Sequence, residues 1–211
     1  MDAQGQAQQP VSLAAEAVAH PPGLPAIGRW MIARDGSIAH WLGEIVDGRH
    51  LHEPINVILI DEGATGADDA RQGLVAAAAA AGFPIRIGHS TGYHGFIGGT
   101  LYGQLPQGRD DAFSNRIFEE SNNHGRVFGP HRFDGGYLFI AAFSRERVNL
   151  LHWPAHRYES FNAAREALAR GLDANSAFKA AGFVLLGNAV NDATVTTGDH
   201  DGRAVLLRAP K

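Results

Sequence analysis

The chain has 211 residues, enough for one domain with a substantial core or at most two small ones, and its 45% hydrophobic and 19% charged residues are those of an ordinary globular protein. A formal net charge of -4 gives no long-range attraction to nucleic acid or to an anionic membrane, and nucleic acid is not an expected partner. The lack of cysteine excludes a disulfide framework and thiolate metal sites, and no apolar run approaches the roughly 20 residues of a membrane span.

Residues 1–25, rich in Ala and Gln and closing on "PPGLP", are expected to form a flexible arm outside the core, because the prolines fix φ and remove donors. The first positive side chain is Arg29, so no basic leader region is expected, while a mature exported terminus fits equally well. A single globular domain is expected over 26–211. In it, "RDGS" marks a turn between Trp30–Ala33 and Ile38–Leu42, compatible with a hairpin or a broken helix. "PINVILID" is a near-continuous apolar run, as in a strand covered on both faces.

The alanine-rich stretch that follows predicts a helix, with Thr65 and Asp68 as a capping box and Gly82 as its left-handed stop. "FPIRIG" reads as the next strand, which makes a strand–helix–strand unit, most simply a parallel crossover. "DDAFSNRIFEESNN" reads as a helix with acidic residues at its start. "HGRVF" and "YLFIAAF" read as paired strands joined across "GPHRFDGG", and "NLLHW" as a further strand. "SFNAAREALARGL" is an amphipathic helix with Ser160 as N-cap and Gly171 as stop, followed by a short helix at "ANSAFKAAG" and a strand at "FVLLGNAV". "TVTTGDHDGRAVLLR" reads as two strands around a turn. The expected class is α/β or α+β: one mixed sheet of six to nine strands flanked by helices.

"GHSTG", residues 88–92, matches the G-x-S-x-G turn that presents a nucleophilic serine. The strand before it is present, but "YHGFIGGTLYGQ" after it does not read as the required helix. Ser90 is therefore expected in a loop. The chain has no Walker loop, dinucleotide fingerprint or zinc-protease helix, and no cofactor is expected.

Polar chemistry concentrates in "SNNHGRVFGPHR", residues 121–132. Alternation along a strand puts His124 and Arg126 on one face, a pairing suited to clamping an anion, and imidazole can also move a proton near neutral pH. His124 is the candidate catalytic residue, and Arg126, Asn123, His131, Arg132 and His152 are the candidate ligand-binding set. A solvent-facing polar strand edge explains the same residues without function. His50 and His52 in "HLH" would face one way but lack an evident third ligand, so no metal site is expected. The acids of "DEGATGADD" are explained by capping as well as by a ligand.

In order along the chain, "PINVILI", "NNHGRVF", "GYLFIAAFSRE", "HWPAHRYESFNAARE" and "DHDGRAVLL" resemble the LssY C-terminal domain family over roughly residues 40–208. His124 and Arg126 match that family's Arg-x-His-x-Arg-x-Trp motif, whereas Asn122 stands for its first arginine and Phe128 for its tryptophan. The resemblance implies a bacterial, envelope-associated domain and no defined reaction. Three functions are compatible with these readings. The first is binding of an anionic small molecule or lipid headgroup through His124 and Arg126. The second is ester or phosphoester hydrolysis with His124 as general acid or base near the loops 61–69 and 89–99, and the third a non-catalytic interaction domain.

Overall fold

Val57–Asp61 is buried on both faces as its composition predicts: Val57 and Leu59 pack into one apolar cluster, Ile58 and Ile60 into another. The computed structural model describes residues 12–107, 111–148, 151 and 156–211. Among them the chain forms strands Val18–Ala19 (β1), Ile27–Gly28 (β2), His40–Val46 (β3), Arg49–His52 (β4) and Val57–Asp61 (β5), then helix Ala67–Ala80 (α1). Ile85–Ile87 (β6), His94–Ile97 (β7), Thr100–Leu105 (β8), Asp111–Ser114 (β9), Asn122–Phe133 (β10), Gly136–Val148 (β11) and His156–Ser160 (β12) precede helix Phe161–Asn175 (α2). Lys179–Leu185 (β13), Val195–Thr196 (β14) and Arg203–Ala209 (β15) close the described chain.

Twelve of these strands join one mixed, curled sheet whose main path runs β1-β2-β7-β8-β10-β11-β5-β15-β13, more than the six to nine strands expected. A separate small sheet has the order β14-β4-β3. Both helices lie on one face, where Leu74 of α1 and Leu168 and Leu172 of α2 meet Leu59, Val127 and Phe139. The other face is covered by chain rather than helix: Ile27, Met31 and Ile97 close over Ile58, Phe128 and Ile140.

The β10–β11 hairpin is as the sequence predicts, turning at Asp134 and Gly135, both at positive φ. So is the N-cap of α2, where Ser160 Oγ accepts from Ala163 N at 2.8 Å. Gly82 follows α1 at φ +85, the expected left-handed stop. The "RDGS" turn closes a hairpin, with Ala33 N donating to Ser37 O at 2.8 Å and Ile32 bridging Ile38.

Other expectations are corrected. The arm was to end near residue 25, but Val18 and Ala19 are buried and pair with β2. At the start of α1 the N-cap is Gly66, and Thr65 N and Oγ1 donate to Asp69, not Asp68. β6 does not pair with β5, because β11 and β15 take the two edges of β5 and β6 docks on β9 instead. The helix expected from 110 to 123 is replaced by β9, which fills the edge between β6 and β10 and buries Phe113 completely. Ile117, which helical spacing would put on the same side as Phe113, is left 48% exposed.

Gly171 does not stop α2. A Cβ there would lie 2.5 Å from Ala81 O, so this glycine lets α2 cross the end of α1 and the helix continues to Asn175. Of the short helix read at 174–182, the first two residues end α2 and the last four, Lys179 to Gly182, open β13. β14 and β15 do not pair with each other; β14 joins β4 and β15 joins β5 and β13. The strand expected at 149–153 lies, apart from Leu151, outside the described residues.

One glycine ties the hairpin to the polar site. Gly125 sits between His124 and Arg126, and a Cβ on it would meet Ala142 O at 2.4 Å and the Phe143 ring at 2.5 Å. A carbonyl in a sheet ladder has no room to retreat, so Gly125→Ala should destabilise the fold by about 2–3 kcal/mol in urea unfolding.

Candidate functional site

On β10, Asn122, His124, Arg126 and Phe128 share the face turned away from the helices, while Gly125 and Val127 face the helix layer. His124 and Arg126 form one wall of a cavity of ≈ 70 Å³, space for a few waters or one small ion. Glu146 of β11 and Trp41 of β3 line it as well, with Glu53 beyond β4, His89 and Ser90 of the 88–90 loop, and Phe118 after β9. Glu53, His89, His124, Arg126 and Glu146 are each 4% exposed or less.

Backbone pairing sets these side chains. Asn122 lies opposite Glu146 and His124 opposite Ser144 across the hairpin, and Ser144 Oγ accepts from Trp41 Nε1 at 3.0 Å. Glu53 is pinned on both sides of its peptide, its N–H donating to Ala39 O at 3.1 Å and its carbonyl accepting from Met31 N at 2.9 Å.

The hydrogen bonds around Asn122 fix the tautomer of His124. Asn122 Nδ2 donates to Glu120 O at 2.9 Å and to Glu146 Oε1 at 2.5 Å. Its Oδ1 therefore accepts from His124 Nδ1 at 2.9 Å, so Nδ1 carries the hydrogen and Nε2 keeps its lone pair. Glu146 Oε1 also sits 3.2 Å from His156 Nδ1, an ion-pair distance without hydrogen-bond alignment. The His124 ring stacks on His89 at 4.5 Å, and Phe118 stacks on His156 at 4.0 Å.

Arg126 Nη2 donates to Ser90 O at 2.9 Å, its guanidinium lies 5.2 Å from the centre of the Tyr93 ring, and its Nε has no partner among the described residues. His89 Nε2 is likewise buried and unpartnered. Burial, then Arg126, hold His124 well below the usual histidine range, and burial with Arg126 and His156 brings His89 down to about 4. Burial pushes Glu53 up to about 7, against the pull of Arg126. Glu146 is also raised by burial, against His156, the Asn122 bond and Arg126. At neutral pH the site therefore combines one permanent cation, neutral imidazoles at positions 89 and 124, and two carboxyls reluctant to ionise.

Of the candidate catalytic and ligand-binding residues read from sequence, only His124 and Arg126 meet here, and Ser90 of the GHSTG motif also lines the cavity. Asn123 points to the other face, where its Oδ1 accepts from Arg145 Nε at 2.8 Å. His131 and Arg132 lie beyond a register shift at Gly129 and Pro130, which ends the simple alternation. His131 bonds Tyr102 through Nδ1 at 2.9 Å, and Arg132 lies over the Tyr137 ring at 5.6 Å. His152 is outside the described residues.

Ser90 begins no helix: β7 follows it, and its Oγ bonds Tyr93 OH at 2.9 Å, not a histidine. His40, His50 and His52 stack on one another in the small sheet, and no group of three metal-ligating side chains converges among the described residues. Sequence reasoning missed Glu53, Glu146 and Trp41, none of which carries a motif, whereas His89 belongs to the 89–99 loop that the hydrolase reading puts near His124.

No family model matches the chain, and neither a curated protein nor a solved structure matches it. Among the described residues no helix is long and apolar enough to cross a membrane.

Proposed function

We propose that this cavity binds a small anionic ligand bearing a carboxylate or phosphate, with Arg126 as the charge partner and His124 beside it, in the envelope-associated setting that the LssY C-terminal resemblance implies. The observation that carries the reading is Arg126 itself. Its guanidinium is buried, has no carboxylate within ion-pair distance among the described residues, and keeps Nε unpartnered. An orphaned buried N–H on a cation is costly, and an anion in the cavity satisfies both its charge and its donor.

Titration calorimetry with acetate and with phosphate tests this. Arg126→Met keeps the volume and should weaken binding about 10- to 100-fold, as expected for one charge-assisted bond. Equal affinity in a folded Arg126→Met protein would rule the site out.

A second reading, hydrolysis with His124 as general base, is favoured by one observation, the free lone pair on Nε2 held by the Asn122–Glu146 chain. The depressed pKa makes this imidazole a weak base, and Ser90 is not bonded to it, so a water would have to be the nucleophile. His124-dependent turnover of simple esters or phosphoesters would support this reading.

A further inference from the structure

Glu53 shares the cavity with Arg126 but has no partner of its own. It is 4% exposed and, among the described residues, its carboxyl makes neither an ion pair nor a hydrogen bond. The charged and titratable groups around the same space are Arg126 and His124 from β10, Glu146 from β11 and His89 from the 88–90 loop, with His156 of β12 behind Glu146. Glu146 is already engaged by Asn122 and His156. Arg126 is the one group of that set that attracts an ionised Glu53.

We infer that the ligand is a short monocarboxylate and that it enters together with one proton, which Glu53 takes up. This rests on the anion-binding reading above and adds the ligand class and its control. If Glu53 is ionised, it and the incoming anion compete for a single guanidinium across a space of ≈ 70 Å³, too small for bulk water to screen them. If Glu53 is protonated, the repulsion is gone and its O–H becomes a donor to the anion. Binding and protonation therefore favour each other, and linkage requires the effect to be reciprocal.

The size and walls narrow the ligand further. Within ≈ 70 Å³, bounded by the Trp41 indole and the Phe118 ring, an acetate-sized molecule can place its carboxylate on Arg126 and its methyl on an apolar wall. A phosphate dianion would bring a second charge that no second cation in the cavity matches.

Calorimetry on the full chain with sodium acetate, in Tris, bis-Tris and triethanolamine buffers of unlike ionisation enthalpy, reads the proton directly. At pH 8 wild type should take up close to one proton per acetate, and its affinity should fall about tenfold per pH unit above 7. Glu53→Gln, which keeps the shape and removes the titration, should bind acetate with no proton uptake and the same affinity from pH 7 to 8.5.

Acetate binding that depends on Arg126 but shows no proton uptake in wild type, or the same pH dependence in Glu53→Gln, would overturn the inference and leave the anion site standing. Phosphate binding more tightly than acetate would overturn the ligand class. Failure of wild type to bind acetate, formate or phosphate at any pH would overturn the anion reading itself. The wild-type proton count needs no variant, so it stands even if a substitution impairs folding.

Discussion

Replacing Asp201 with asparagine should destabilise the fold by about 3 kcal/mol at pH 7, because it strips the counter-charge from a buried cation. Arg165 of α2 is 2% exposed, and its guanidinium grips Asp201 in a two-pronged bond, Nη1 to Oδ1 at 2.7 Å and Nη2 to Oδ2 at 3.2 Å. Arg203 Nη2 reaches the same carboxylate at 2.8 Å, and the Phe183 ring lies 5.0 Å from both guanidiniums. Asparagine keeps the volume but leaves Arg165 charged in a dry place, with only the exposed Glu166 at 3.7 Å. Burial alone would raise the pKa of Asp201, but the bonds from Arg165 and Arg203 outweigh it and hold it far below 3.8. A depressed carboxyl stabilises above its unfolded pKa and loses that contribution only as the pH falls below it. The gap between wild type and Asp201→Asn in urea unfolding should thus be constant from pH 8 to about 5 and close in stronger acid. The double variant Arg165→Met/Asp201→Asn should recover most of the loss, since it removes the stranded charge.

Glu53→Gln should do the opposite: stabilise the protein, increasingly as the pH rises from about 4.5 to about 7 and without further gain above it. The folded-state pKa of Glu53 is raised from 4.5 to about 7, so the folded state holds a proton that the unfolded chain releases. That contribution is complete below the unfolded pKa and is lost as the pH rises through the folded one. Glutamine mimics the protonated form at every pH. The stability of the variant relative to wild type should therefore grow by up to about 3 kcal/mol between pH 4 and pH 8, the free-energy equivalent of the shift.

The depressed histidines act in the other direction. His89 and His200 at about 4, and His124, hold stability that is lost as the pH falls below the ordinary histidine value of 6.5. Their loss is common to wild type and variant, so it cancels in the difference. A pH-independent gap would mean that Glu53 is as hydrated in the folded protein as in the unfolded chain.

Several features were legible because their causes are local. The apolar run of Val57–Asp61 needs cover on both faces wherever it goes. Asp134 and Gly135 accept positive φ and so turn β10 back into β11. Ser160 caps α2 through a bond three residues away. His124 and Arg126 share a face because side chains alternate along any strand.

The failures were long-range. The 110–123 stretch carries helix-compatible residues, but its first part was claimed by the open edges of β6 and β10. Gly171 looked like a stop because the closeness of Ala81 is invisible along the chain.

What the sequence determined by itself, then, is one wall of the cavity: an imidazole and a guanidinium two residues apart on a strand, next to a hairpin turn. What only the tertiary structure decided is everything facing that wall. The register shift at Gly129 and Pro130 sets two residues against Phe139 alone and moves the β10–β11 pairing by one place. Without it Glu146 would lie opposite Asn123, on the helix side of the sheet; with it Glu146 lies opposite Asn122 and reaches the cavity. Glu53, His89 and Trp41 arrive from positions 35 to 83 residues away from His124, none of them in the large sheet that carries β10. Alternation is a property of each strand and can be read from it, whereas register and curl belong to pairs of strands and to the packed whole.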